Sequence, residues 1–496
     1  MIGSGAGGGT FAGELAARGW RVLLVERGRS IVDPAVLQDE RAMLERRVAS
    51  EDPPPSINGR PMRPVVGSLP GGSTALFGAV MMRPAPADFA PGQSYGSRLP
   101  DWLARWPIDY AELEPYLERA EDLYGVAGDA HASAPHLGRR RIPYKSALPD
   151  LEPVNTRIAG GLVRTGLRPF RLPLAIDFDR CRRCPGCPGL LCPHEARASS
   201  WNRAVAPRRN AGLEVWEDCE ATRIEFTGRR VRAVRLAMRA SGERRRVTAG
   251  LFAVSAGAIG SPALLLRSEV PDASDQLGRN HMCHLGVLAV AAFGRSTGAR
   301  HRLVKQLGWS DHYLGAPDLP AKLGVVQQIP IPGPRSIGRQ LGVPLPTAMA
   351  DALRDRLLLF AGTLEDLPAP ENRVGLDAFG NVRLTRRFRA YDLERGRRWA
   401  RLLGRTLRRA GVAGAFTHVA GRAHDHLAHQ VGTCRFGNDP RHAVLDRDCR
   451  VHGFDNLYVV DGSFLPTSLG VGPALTIAAN ALRVAERVDG GRSDHA

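Results

Sequence analysis

The sequence predicts an α/β protein: a parallel-sheet domain of doubly wound type and a second domain resting on an antiparallel sheet. Three observations carry this. A glycine-rich turn, an apolar helix and a short apolar strand ending in an acid follow one another within the first thirty residues. The same succession of strand, glycine turn and helix returns at 250–268 and again at 456–488. Between them, from 286 to about 420, apolar residues alternate as they do along half-buried antiparallel strands.

At 496 residues the chain is too long for one simple core. Its 43% hydrophobic and 24% charged residues are those of a globular protein. The formal charge of +18 suggests nucleic acid at first, but only three lysines occur, Lys145, Lys305 and Lys322. The arginines that carry the charge are spread along the chain, with knots at 139–141, 244–246 and 397–409. No nucleic-acid-binding module accompanies them, so no nucleic-acid partner is expected. An acidic redox partner, or an anionic membrane surface, suits the charge better. No transmembrane segment is expected, since no stretch reaches the ~18 apolar residues of a membrane span. The most apolar run, 251–266, is broken by glycines and a proline. No signal peptide precedes the first motif, which points to the cytoplasm. Only Met1 and Ile2 stand where a buried strand of about five residues is expected, so the true start is expected upstream, with room for a targeting segment there.

Gly3-Ser4-Gly5-Ala6-Gly7-Gly8 fits G-x-G-x-x-G. Such a turn brings backbone N–H groups against a pyrophosphate at a helix N-terminus. The helix that follows, over 10–20, is closed by Gly19. "RVLLVERG" (21–28) is the second strand, and Glu26 at its end is placed to take both ribose hydroxyls of an ADP-containing cofactor. Residues 51–70 are proline-rich and irregular. They lead to a second glycine pair, where Gly71, Gly72 and Ser73 form either a cradle for an anion or flavin edge or an ordinary turn.

"CRRCPGCPGLLCPHEARASS" sets Cys181, Cys184, Cys187 and Cys192 at C-x2-C-x2-C-x4-C. An iron–sulfur cluster or another metal, a disulfide pair, and free structural thiols all remain open for them. In "GLFAVSAGAIGSPALLLRS" (250–268), Ser261-Pro262 is expected to cap and open a helix. "LGVLAVAAF", "LGVVQQIPI" and "GNVRLT" are expected in the antiparallel sheet. Residues 394–411 predict an amphipathic helix with Trp399, Leu402, Leu403 and Leu407 on one face and solvated arginines on the other. The tail gives a strand ending at Asp461, then a long helix opening at Pro473. The N-terminus of that helix would steady the negative charge of a reduced flavin.

In this order the motifs resemble those of the glucose–methanol–choline (GMC) oxidoreductases, FAD-dependent enzymes that oxidise alcohols, sugars and sterols. "MIGSGAGGGTFAGELAARGWRVLLVERG" looks like the N-terminal FAD fingerprint of the family. "PGGSTALFGAVMMRP" and "AVSAGAIGSPALLLRS" resemble its second and third glycine motifs. "HQVGTCRFGNDP", with "NLYVVDGSFLPTS" and "PALTIAANALRVAE", resembles its C-terminal signature. A cysteine-rich segment near 181–192 is similar to one in some bacterial members. The resemblance implies an alcohol dehydrogenase or oxidase in which His429 takes the alcohol proton while hydride passes to flavin N5. It leaves 286–420 unmatched, as the variable substrate domain.

The expected FAD domain is discontinuous, built from 1–145, 196–285 and 424–496. A cysteine-rich connection spans 146–195, and 286–423 is the substrate domain. Gly3, Gly5 and Gly8 would hold the pyrophosphate and Glu26 the ribose. Gly71, Gly72 and Ser73 would hold the flavin edge, and Asp461 the ribityl region, with Gly462 and Pro473 also in the cofactor-binding set. Cys434 is read as a packing residue. His424, Asp425 and His426 could back His429 or form a polar surface turn. Two departures from the family pattern stand out: Gly472 occupies the place of an asparagine or histidine before the last helix, and Phe77 stands where an asparagine is frequent. A catalytically weak flavoprotein, acting in electron transfer or as an interaction partner, is therefore the alternative.

Overall fold

The computed structural model describes residues 1–45, 48–49, 54–61, 66–129, 134–184, 187, 189–299, 303–331, 333, 346–421 and 428–493. Its centre is a parallel sheet assembled from distant pieces of chain. Leu213–Trp216 pairs with Val22–Val25, and Phe252–Val254 pairs with Leu457–Val459. Ile2 joins the two pairs by parallel bridges to Val25 and Val254. Its N–H donates to the Ala253 carbonyl at 2.9 Å, and its own carbonyl accepts from Ser255 at 2.7 Å. These runs are apolar because helices cover the sheet, so period-2 alternation is absent. Ala6–Ala17, Tyr110–Leu123 and Ala474–Ser493 pack together. A charged seam ties them, in which Arg119 bridges Glu14 at 2.6 Å and Glu486 at 2.7 Å.

The second sheet is antiparallel. Its order is Gly414–Val419, Leu285–Ala292, Leu357–Leu364, Val326–Ile329, Leu307–Trp309 and Phe170–Arg171. The last strand comes from the cysteine-rich connecting region rather than from 286–423. The helix Ala390–Arg409 covers this sheet, burying Trp399, Leu403 and Leu407 and leaving Arg397, Arg398, Arg401 and Arg405 exposed, as the periodicity predicts. Leu402 is only partly buried. The Trp399 ring lies so close that a Cβ at Gly362 would meet it at 2.8 Å.

Two local expectations are corrected. "GNVRLT" does not join the large sheet: Val382–Thr385 pairs with Arg373–Leu376 and Ser56–Ile57 in a separate four-stranded sheet. The helix with the serine–proline pair begins at Gly257, a turn before Ser261. Ser261 instead accepts from the Ala256 N–H at 2.8 Å. Pro262 lies inside the helix and cannot donate to the Ala258 carbonyl, which takes the Thr433 hydroxyl at 2.8 Å instead. Among the described residues no helix is long and apolar enough to cross a membrane.

Candidate active site

The glycine turn works by contact. A Cβ at Gly3 would lie 2.3 Å from the Ser255 carbonyl, and the residue holds φ of +91°. A Cβ at Gly7 would lie 1.8 Å from the Val460 carbonyl. At Gly8 it would strike the carbonyl of Gly3 at 2.1 Å. Gly5 differs: a Cβ there would meet nothing within 4 Å. Gly5 is the N-cap of Ala6–Ala17 and supplies no side-chain cap, and the first turn holds no acid. The motif thus offers uncapped N–H groups beside open space, an arrangement that suits an anion.

Ser4, which the sequence reading passed over, ties this turn to two others. Its hydroxyl donates to Glu26 Oε2 at 2.6 Å and accepts from the Gly71 N–H at 2.9 Å. Its carbonyl accepts from Ser200 Oγ at 2.6 Å. The other Glu26 oxygen accepts from Gly28 at 2.9 Å. Burial pushes the Glu26 carboxyl up, against the hydrogen bonds from Ser4 and Gly28. Gly71 and Gly72 have φ of +89° and +52°, and a Cβ at Gly72 would lie 2.9 Å from Gly5 Cα. The first and second glycine motifs are therefore in contact, and Ser73 lies inside the short helical turn Gly72–Ala75. Phe77 packs partly buried against the main core.

The strand Leu457–Val459 stops two residues short of Asp461, whose carboxylate is engaged within the chain. It accepts from Gly257 N at 2.8 Å, Ser463 N at 2.9 Å and Ser463 Oγ at 2.5 Å, and from the Ser261 hydroxyl. It fixes the loop of Gly462 and the start of the helix at Gly257. Gly462 is buried beneath Ile477 and Val431.

His429 is exposed and in the left-handed region at φ of +58°. It is not a core histidine. A Cβ at Gly472 would come 3.6 Å from its Nε2, so His429 faces the segment leading through Pro473 into Ala474–Ser493. Its Nδ1 lies 2.8 Å from Nδ1 of His284. Burial holds the His284 imidazole down at about 4. His281, whose Nε2 lies 3.1 Å from Gln430 Oε1, is held by burial at about 3. Sequence reasoning missed both; the signal was "HMCH" at 281–284, directly before the strand Leu285–Ala292. Cys434 is fully buried, as a packing residue would be. His424, Asp425 and His426 lie outside the described residues.

The assembled motifs match family models described as GMC oxidoreductase over residues 6–286 and 376–481. The chain belongs to the GMC oxidoreductase family. It is 33% identical to 6'''-hydroxyparomomycin C oxidase of Streptomyces lividus, covering 98% of this chain and 90% of that protein. It is 30% identical to paromamine 6'-oxidase of Streptomyces fradiae, covering 99% and 91%. The fold is also that of pyridoxine 4-oxidase from Mesorbium loti, with a TM-score of 0.67, 21% identity and 98% of each chain covered. This GMC protein is thus an FAD-dependent oxidoreductase of CH–OH donors.

Its residues fit that cofactor. The open space over Gly5 is matched over Gly257, where a Cβ would also meet nothing within 4 Å. The buried hydroxyls of Ser255 and Thr476 find no hydrogen-bond partner among the described residues, as groups awaiting a polar ligand would. Among the described residues no three His, Cys, Asp or Glu side chains are grouped to hold an ion. Cys181, Cys184, Cys187 and Cys192 form no disulfide in this structure. What orders the loop is its backbone. Arg197 donates to the carbonyls of Cys187 and Leu190, and Gly189 donates to the Leu76 carbonyl at 2.8 Å. The loop is thereby pinned to the second glycine motif.

Proposed function

We propose that this GMC oxidoreductase oxidises a hydroxyl of a sugar-like alcohol, with amino sugars the first class to test, and that His429 is its catalytic base. The observation that carries the reading is the exposed His429 imidazole, with Nε2 directed at Gly472 beside the last helix. An imidazole there can take the hydroxyl proton at neutral pH. Bound FAD supplies the hydride acceptor, its N5. Gly3, Gly5 and Gly8 hold the pyrophosphate, and Glu26, already oriented by Ser4 and Gly28, takes the ribose. Gly71, Gly72 and Ser73 line the flavin edge. Gly462 and Pro473 complete the cradle around the ribityl chain and pyrimidine ring, with Asp461 shaping that loop. The amino-sugar class is supported by the two Streptomyces relatives, whose names give paromamine and a paromomycin as substrates. The exposed row of Arg398, Arg401 and Arg405 supports an acidic electron acceptor.

The test is anaerobic absorbance of the holoprotein with paromamine, pyridoxine and 2-methyl-1,2-propanediol. Paromamine should bleach the flavin, and His429→Gln should keep the flavin yet bleach at least ~10²-fold more slowly, the usual contribution of a general base. Gly472, which leaves no side chain beside His429, favours one second reading, a flavoprotein of weak catalysis. Flavin that no alcohol bleaches would establish it.

A further inference from the structure

The histidine behind His429 has a determined hydrogen-bond sense. Met282 and Val431 form an antiparallel bridge, each N–H donating to the other's carbonyl at 2.9 Å. Two residues along that register, His284 stands opposite His429. His284 Nε2 lies 2.9 Å from the Ser468 carbonyl and 3.0 Å from that of Leu469. A carbonyl only accepts, so this nitrogen bears the proton. A neutral imidazole carries one N–H, which leaves Nδ1 of His284 as a lone pair. The 2.8 Å contact between the two Nδ1 atoms then requires His429 to donate.

We propose that His284 is a positioning residue that locks His429 in the Nδ1–H tautomer and so keeps the proton-accepting lone pair on Nε2. The inference rests on the reading of His429 as the base. In the step it serves, the hydroxyl O–H bond breaks, the electron pair stays on oxygen, and the proton forms an N–H bond at Nε2. The Nδ1–H bond to His284 persists throughout, so the imidazolium forms without reorientation. Burial disfavours a charge on His284, whose Nε2 already carries its one proton toward the two carbonyls, so the imidazolium forms on His429. The charged groups acting on it, Glu365 and Lys322, push in opposite directions. An aspartate in this place would orient the ring and also add a charge. A neutral histidine orients it alone.

The experiment is long-range 1H–15N correlation on the holoprotein labelled with 15N-histidine, at pH 7.5, with the His429 signals assigned by their loss in His429→Gln. The expected result is a protonated Nδ1 and an unprotonated Nε2 at His429. His284→Gln, whose amide can accept from His429 and donate to the carbonyls, should keep that pattern. His284→Phe should lose it and slow flavin reduction, by up to the ~10⁴-fold that a wrong tautomer can cost. An Nε2–H tautomer in the unaltered protein overturns the proposal, and so does an unchanged pattern in a folded His284→Phe. Should His284→Phe fail to fold, the unaltered protein and His284→Gln still decide. Fast flavin reduction by His429→Gln, with the tautomer as expected, would remove the base reading while leaving the assignment of His284 intact.

Discussion

At Gly472 the site lacks a side chain beside His429. A Cβ there would sit in ordinary contact with His429, at 3.6 Å from Nε2. Gly472→Asn should therefore be accommodated and give the alcohol oxygen a second partner. Turnover on an identified alcohol should rise by up to ~10²-fold, by analogy with adding a donor to an oxyanion site. Stopped-flow flavin reduction measures it, and unchanged rates would show that the missing partner is not limiting. His284 also makes the stability of the fold depend on pH. His284 is held at about 4 by burial, against 6.5 when unfolded, so the unfolded chain binds the proton first as pH falls. The stabilisation is full above pH 6.5 and is lost as pH drops towards 4. Relative to His284→Gln, the protein should lose about 1.4 kcal/mol per pH unit through that window. Urea unfolding of both proteins at several pH values gives the difference, and parallel curves would contradict it. His429 was legible from its motif. Ser4 and His284 were not, because their partners, Gly71 and His429, lie 67 and 145 residues away in the chain.

Helices and strands follow the glycine grammar closely, and fail it where a side chain from elsewhere intervenes. The helix Gly257–Arg267 starts before its serine–proline pair because Ser261 bonds back to Ala256 and Thr433 serves the carbonyl that Pro262 leaves without a donor. Locally, Ser-Pro reads as a helix start; only the neighbouring loop shows otherwise. Thr433→Val should leave the buried Ala258 carbonyl unsatisfied and cost about 1–3 kcal/mol. Chemical denaturation would read that loss, and a variant as stable as the parent would refute the substitution of one donor for another. For the cysteine loop, titration of unfolded protein without reductant should return all eight thiols of the chain. A count two lower would restore a disulfide.

Across the molecule, the parallel-sheet and antiparallel-sheet regions meet at a buried ionic centre. Lys322 Nζ lies 2.5 Å from both Asp88 Oδ1 and Glu365 Oε2. Tyr313 donates to Asp88 at 2.7 Å, and Tyr95 donates to Glu365 at 2.6 Å. Glu365 Oε1 accepts from Leu469 N at 3.1 Å, next to the carbonyls that hold His284. Lys322→Met would strand two carboxylates and should destabilise the fold by about 3–5 kcal/mol. Unfolding in guanidinium should show this as a lower midpoint, and an unshifted midpoint would mean that the lysine is dispensable. Of the three lysines, Lys305 and Lys322 are buried, so the cationic surface is made by arginine.

The sequence by itself determined the α/β class, the glycine motifs and the antiparallel character of the middle region, and it singled out His429 as a candidate. Each of these is a short-range signal, set by φ, by periodicity or by residues a few positions apart. Only the tertiary structure decided that the first two glycine motifs touch through Ser4 and that Asp461 braces a loop from within. It alone brought His284 behind His429. Those outcomes depend on which distant backbone atoms face a side chain once the sheets are packed, and hydrogen-bond partnership over such separations leaves no periodic trace in the chain.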